Sequence, residues 1–194
     1  MKGYEEREYN AGKDFTETTD EVNYLFKGYI VNLRKDRVLL PNGKTAPREY
    51  VEHRGGVAVL AVDEQGCITL VRQYRYPLRS HLWEIPAGKL EIGEDPDVAI
   101  ARELREEAGL EAGSIRLLGR FYATCGYSNE IIRLYLATDL TYVGAHPDED
   151  EFLEIKYFTI DEVYEMCLSG AIEDSKTLVA ILKYKALQEK GTLG

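Results

Sequence analysis

Cysteine is scarce in this 194-residue chain, and its pattern excludes two chemistries. Cys67, Cys125 and Cys167 are odd in number and far apart. They form no Cys-x-x-Cys pair or Cys/His cluster, so neither a disulfide framework nor a zinc site is expected. Such thiol usage points to a reducing compartment, and a cytoplasmic location is expected. Long apolar runs are missing as well. No stretch approaches the roughly 20 residues that cross a bilayer. The opening "MKGYEEREYNAGKDFTETTD" has no apolar segment of the kind that marks a signal peptide, so no membrane association is expected. Basic residues are in deficit: 24 Lys and Arg stand against 34 Asp and Glu, for a net charge of -10. Sequence-independent binding to nucleic acid draws its affinity from Lys and Arg on phosphates, so that function is not expected. The acidity is compatible with a site that needs cations. What remains is ordinary for a globular protein: 44% apolar and 30% charged residues. The length suffices for one domain with a core, or one domain plus a small appendage.

Residues 1–20 read as loose polar chain. "NYLFKGYIVNLRKDRVLLPNGKTAPREYVEH" then alternates apolar and polar residues and breaks at Asn42-Gly43, a hairpin signal. "GGVAVLAVDEQGCITLVRQYRYP" reads as two strands around a turn at Gly66. The run Val57–Val62 is apolar on both faces, which predicts a central, buried strand. "HLWEIPAGKLE" is extended and then turns; "SIRLLGRFYAT", "IIRLYLATDL" and "EFLEIKYFTI" read as strands. "TIDEVYEMCLSG" and "DSKTLVAILKYKALQEKG" read as helices, the second capped by Asp174 or Ser175 and ended by Gly191. No internal repeat or low-complexity segment appears. The expectation is a mixed α/β domain preceded by a β-rich arm.

The stretch "GKLEIGEDPDVAIARELREEAGL", residues 88–110, carries seven carboxylates in twenty-three residues. Asp95-Pro96 predicts a helix start, with an acceptor at the N-cap and proline at N1, and Gly109 predicts its stop. At 3.6 residues per turn, Ile100, Leu104 and Ala108 form one stripe with Ala101 beside it. Glu103, Glu106 and Glu107 crowd an adjacent face, and Arg102 and Arg105 project elsewhere. Like charges three and four apart repel by a few tenths of a kcal/mol. They are either solvated glutamates on an exposed face or a cation site. A glycine-bearing loop, "PAGKLEIGE", precedes the helix and brings backbone carbonyls and Glu94 near that face. Hard divalent cations take carboxylate and carbonyl oxygens and keep positions for water and phosphate.

The spacing of Gly88, Glu94, Arg102-Glu103-Leu104, Glu106-Glu107 and Gly109-Leu110 resembles the complete signature of the Nudix hydrolases, with all nine fixed positions filled. The resemblance implies an α/β/α sandwich with a mixed sheet, preceded by an N-terminal β-rich arm. It divides the chain into a tail and arm, 1–50, and a hydrolase domain with a C-terminal helix, 51–194. It implies Mg²⁺, or Mn²⁺ in its place, held by Glu103, Glu107 and Glu106 with the carbonyl of Ala87. Arg102 and Glu94 would mainly hold loop and helix together. "LVRQYRYPLRSHLWEIPAGKLEIGE" and "LPNGKTAPREYVEHRGGVAVLAV" further resemble the ADP-ribose pyrophosphatase subfamily, which implies hydrolysis of ADP-ribose to AMP and ribose 5-phosphate. Other nucleoside diphosphate sugars, dinucleotides, or a catalytically silent nucleotide-sugar sensor are the alternatives. The subfamily implies a homodimer that swaps N-terminal arms, the partner's arm helping to hold the base.

The same resemblance places Arg75 on the diphosphate, Arg48 and Glu49 at the base pocket, and Gly126 and Glu130 near substrate. It places the catalytic base on the loop "GAHPDEDEFLEI", as Glu151 or alternatively Glu149. One departure stands out. Relatives carry a proline where "YATCGYSNE" has Cys125, which weakens a strict ADP-ribose preference. Cys125 itself reads as a small packed thiol rather than a nucleophile. Tyr24, Tyr29 and Tyr50 are candidate base platforms, and Trp83 reads as packing. Glu84 reads either as an outer support of the metal site or as a strand-edge salt bridge. His53, His81 and His146 lack ligand spacing.

Overall fold

The computed structural model describes residues 12–146 and 152–193. The chain forms two compact units: Met1–His53 with Gly126–Ser128, and Arg54–Cys125 with Asn129–Gly194. The first unit is a four-stranded antiparallel sheet of β1 (Thr18–Glu21), β2 (Tyr24–Lys27), β3 (Asn32–Leu39) and β4 (Thr45–Glu52). β3 is its spine. It pairs with β4 from Asn32↔Glu52 to Leu39↔Thr45, and its other edge takes β2 near Asn32 and β1 near Leu39. The hairpin falls where Asn42-Gly43 predicts it. Gly43 has φ 78° and donates its N–H to the Leu40 carbonyl at 2.9 Å; only glycine takes that conformation without steric cost. The loose chain expected through residue 20 ends early, because Thr18 and Thr19 already pair with Leu39 and Val38.

Most large apolar side chains of this unit, such as Leu25, Phe26 and Leu33, are exposed, and charge ties the sheet. Arg34 lies over the rings of Tyr24 and Tyr50, at 5.1 and 5.0 Å from their centroids. It also pairs with buried Asp36 and, at 2.9 Å, with Glu52. A guanidinium stacked on aromatic faces and forked onto carboxylates uses both of its strong interactions at once.

The second unit begins with β5 (Gly56–Ala61), β6 (Cys67–Arg75), β7 (Ser80–Glu84) and β8 (Ala87–Lys89), followed by α1 (Pro96–Ala108). Long strands β9 (Leu110–Tyr122) and β10 (Ile131–Tyr142) come next, then β11 (Glu154–Thr159), α2 (Ile160–Ser169) and α3 (Ser175–Glu189). One sheet has the order β8-β5-β10-β9, the other β11-β6-β7. The first sheet is mixed, since β5 and β10 run parallel and the other pairs antiparallel.

Every residue of β5 is buried, as its apolar run predicts. Successive side chains of a strand point to opposite faces. Val57, Val59 and Ala61 therefore pack with Ala99, Ile100, Leu104 and Ala108 of α1. Ala58 and Leu60 pack with Ile160, Val163, Ala180 and Ile181 of α2 and α3. Helices thus cover both faces of a mixed sheet, the α/β/α sandwich expected from the sequence. The stripe on α1 differs in one position: Ala99 is buried, whereas Ala101 is exposed.

Candidate active site

α1 starts and stops on local signals. The Asp95 carboxylate accepts the Asp97 N–H at 2.8 Å, Pro96 is the first helical residue, and Gly109 closes the helix at φ 67°. Gly109 has a second reason to lack a side chain. A Cβ there would lie 2.5 Å from the Ala145 nitrogen, so the chain leaving β10 crosses against the helix end. That crossing is fixed by two backbone bonds, Val143 N–H to the Gly109 carbonyl at 2.8 Å and His146 N–H to the Glu106 carbonyl at 3.0 Å.

The Leu104 stripe faces the sheet, and this orientation carries Glu103 and Glu107 into the protein, 8% and 2% exposed. Both carboxylates meet β8. The Ala87 N–H donates to Glu107 Oε2 at 2.8 Å. The Glu103 carboxylate occupies the space beside Gly88, where a Cβ would lie 1.8 Å from Oε1 and 2.4 Å from Oε2. Gly88 is required there for room, not for backbone conformation. Thus Ala87, Gly88, Glu103 and Glu107 come together as one assembly.

Arg102 does not project elsewhere, as helical spacing alone suggested. Its Nη1 lies 2.9 Å from Glu103 Oε1 and 2.8 Å from Glu106 Oε2, and its Nε lies 3.1 Å from Glu94 Oε1. Glu94 Oε2 also accepts the Glu91 N–H at 2.9 Å. The arginine side chain is long enough to fold back over the carboxylates, and their attraction makes that the favoured course. Burial on its own would make Arg102 easier to deprotonate, but its bond to Glu94 and the charges of Glu103 and Glu106 outweigh that and raise its pKa. Arg102, followed by the Glu91 N–H, holds Glu94 below the usual carboxylate range. Arg105 does turn away, to Glu111 at 3.1 Å.

A second charged assembly sits at the end of β7. Glu84 is 1% exposed. It receives Arg75 Nε at 2.7 Å, Arg75 Nη2 at 2.6 Å and Lys176 Nζ at 2.7 Å. Lys176 also reaches Asp174 Oδ1 at 2.7 Å, and Asp174 Oδ2 caps α3 by accepting the Thr177 N–H and hydroxyl. The Thr177 hydroxyl oxygen in turn accepts the Ile85 N–H at 2.9 Å. Glu84 raises the pKa of Arg75, outweighing the opposite effect of burial. Glu84, the last residue of edge strand β7, is therefore held in a salt bridge, and that ion pair is buried. Sequence reasoning found Asp174 as a helix cap but missed Lys176 and Thr177, whose partners lie 92 residues away. No local pattern signals such a pairing.

The remaining expected residues divide between the two units. Arg48 and Glu49 lie on β4 in the first unit, paired with Glu17 and, at 3.0 Å, with Lys35. Gly126 also belongs to the first unit, and half-buried Glu130 to the second. Cys125 is exposed, not packed, because it sits in a turn outside either long strand. Trp83 packs edge-on to Phe158 at 5.4 Å, in keeping with a packing role. His81 meets the Tyr74 ring. Glu149 and Glu151 lie outside the described residues.

The donor set suits a hard divalent cation. Two buried carboxylates one helical turn apart converge on the backbone of β8, where the Cβ-free Gly88 makes room for one of them. Among the described residues no three acidic, histidine or cysteine side chains already form a complete cage. Glu106 is engaged by Arg102. A two-carboxylate site fits an ion that keeps water and phosphate oxygens in its remaining positions. No helix among the described residues is long and apolar enough to cross a membrane.

Comparison with known proteins agrees with this geometry. The family model of the NUDIX domain matches residues 52–180, and that of the nucleoside diphosphate sugar hydrolase N-terminal domain matches residues 17–51. The chain is 45% identical over 180 residues to the methanol dehydrogenase activator of Bacillus methanolicus, covering 92% of this chain and 97% of that one. It is 40% identical over 179 residues to the ADP-ribose pyrophosphatase of Bacillus subtilis, covering 91% and 96%. A solved structure described as an ADP compounds hydrolase superposes with a TM-score of 0.78 at 20% identity, over 93% of this chain and all of that one, and so shares its fold. The filled signature, the helix that carries it and the match over residues 52–180 lead to one conclusion: this chain belongs to the Nudix family of hydrolases.

Proposed function

We propose that the protein hydrolyses the diphosphate of ADP-ribose, releasing AMP and ribose 5-phosphate, with Mg²⁺ as its cation and Mn²⁺ as a substitute. The reading is supported by the Bacillus subtilis relative, named an ADP-ribose pyrophosphatase. The observation that carries it is the seating of Glu103 and Glu107 against Ala87 and Gly88. Glu103, Glu107, Glu106 and the Ala87 carbonyl would hold the cation. When bound, a divalent ion polarises phosphate oxygens and lowers the pKa of an attacking water. Arg102 neutralises part of the charge of the carboxylate cluster and braces it to Glu94, which holds Glu103 and Glu106 in place. Arg75 binds the diphosphate through its guanidinium, a geometry matched to phosphate oxygens. Glu151, or alternatively Glu149, accepts the proton of the attacking water. Arg48, Glu49, Gly126 and Glu130 contact the nucleotide. The functional form is a cytoplasmic homodimer built through the arm.

The second reading, hydrolysis of a different nucleoside diphosphate sugar, rests on Cys125, which is exposed in the turn where ADP-ribose-specific relatives carry proline. Incubation with Mg²⁺ and a panel of nucleoside diphosphate sugars and dinucleotides decides between them. ADP-ribose turned over with the highest kcat/KM supports the first reading. Preference for another sugar supports the second. No turnover on the whole panel overturns both and leaves a silent sensor.

A further inference from the structure

Glu84 and Lys176 both break local rules, and the proposed reaction accounts for neither. A fully buried carboxylate is costly to desolvate, and well-packed apolar side chains commonly serve stability as well or better. Lys176 is the second residue of α3, in the turn where the helix dipole disfavours a positive charge. Asp174 and Thr177 are explained by capping; Lys176 is not. A residue that violates local preference inside a consistent fold points to function.

The geometry shows what the pair achieves. Glu84 shares its two oxygens between Arg75 and Lys176. Arg75 uses Nε and Nη2 on Glu84, and its Nη1 donates to none of the described residues. Its side chain remains 37% exposed, against 15% for Lys176 and 1% for Glu84. Arg75 also lies within electrostatic reach of Glu107. Its fork is thus anchored on Glu84 along one edge, with the side chain still partly exposed. Without Lys176, Arg75 alone would neutralise a buried carboxylate and be drawn further onto it.

We propose that Lys176 is a positioning residue for diphosphate binding: it neutralises Glu84 from the α3 side, so that Arg75 stays anchored with Nη1 available to a phosphate oxygen. The proposal rests on the assignment of Arg75 to the diphosphate. In a Lys176→Met protein, KM for ADP-ribose should rise about tenfold while kcat stays within about threefold, the pattern of lost ground-state binding. Calorimetry with ADP-ribose in the absence of metal should show a matching rise in Kd. Lys176→Arg should restore most of the affinity, because it returns the charge. A purely structural role would lower the melting temperature and leave metal-free Kd and KM unchanged; that outcome overturns the proposal. If the single variant does not fold, the double variant Glu84→Gln/Lys176→Met removes the buried Glu84 charge together with its partner, while Asp174 keeps its bonds from Thr177; wild-type affinity there overturns the proposal equally. Arg75→Gln serves as the reference. Unchanged binding in Arg75→Gln refutes the diphosphate assignment itself. Weakened binding there with none in Lys176→Met refutes only the inference about Lys176.

Discussion

Replacing Gly88 by alanine adds one methyl group and separates the two demands on this position. The backbone there is not left-handed, so the substitution carries no conformational penalty. The new Cβ would lie 1.8 Å from Glu103 Oε1 and 1.9 Å from its Cδ, where ordinary contacts begin at 3.4 Å. The carboxylate must therefore move by more than 1 Å. It is the tip of a flexible side chain, so the stability cost should fall at the low end of overpacking, about 1 kcal/mol. For a chain of this size that is a drop of about 2–4 °C in Tm. Activity should suffer far more. Glu103 is a proposed cation ligand and receives Arg102 Nη1 at 2.9 Å, and a misplacement of about 1 Å in a catalytic constellation costs on the order of a hundredfold in rate. The assay is kcat/KM for ADP-ribose with Mg²⁺, run beside a thermal melt of the same preparation. A Gly88→Ala protein with wild-type kcat/KM would falsify the claim that the space beside Gly88 holds a catalytic carboxylate. A variant that simply unfolds would show that the position serves stability first.

Glu107→Gln keeps an acceptor for the Ala87 N–H, so it should fold normally. It should lose at least about a hundredfold in activity, more than loss of an outer support costs; a metal titration showing unchanged affinity would remove Glu107 from the cation site. Arg102→Met tests the brace through pH. The folded-state pKa of Glu94 lies below its ordinary 4.5. Its contribution is therefore present above that value and lost as pH falls through the lower one. Wild type should melt higher than Arg102→Met near neutral pH, by about 1 kcal/mol for a partly exposed pair, and the gap should close in acid; a gap constant from pH 7 to 3 refutes the pairing as its cause. Glu151→Gln should lower kcat by about 10²–10⁴-fold if it is the base, with Glu149→Gln nearly unaffected; the reverse pattern moves the role to Glu149. Removal of residues 1–50 should abolish dimerisation and activity together, and sedimentation showing a fully active monomer would take the arm out of the site.

Much of the architecture is legible in the residues because its signals are local. Asp95, Pro96 and Gly109 mark α1 within one residue, since caps act over three or four positions. Val57–Val62 declares a central strand because apolar residues on both faces admit no solvent. Asn42-Gly43 sets its hairpin for the same reason of range. The signature announces the carboxylate helix, since the chemistry needs acids at fixed spacing on one turn.

Other features depend on which surfaces meet. Helical spacing placed Ala101 beside the buried stripe, but the face of α1 packed on β5 includes Ala99 instead. Arg102 has the reach to point several ways, and only the positions of Glu94, Glu103 and Glu106 around it select one. The need for glycine at position 88 appears only once Glu103 is seated against it. Lys176 finds Glu84 across 92 residues of chain. The sequence by itself determined most of the elements and the carboxylate helix with its caps, because those follow from interactions within a few residues, whereas β1 forms only by pairing with β3. Tertiary structure alone decided which charges are buried together, because a carboxylate's partners are whatever the packed sheet and helices bring within about 3 Å of it.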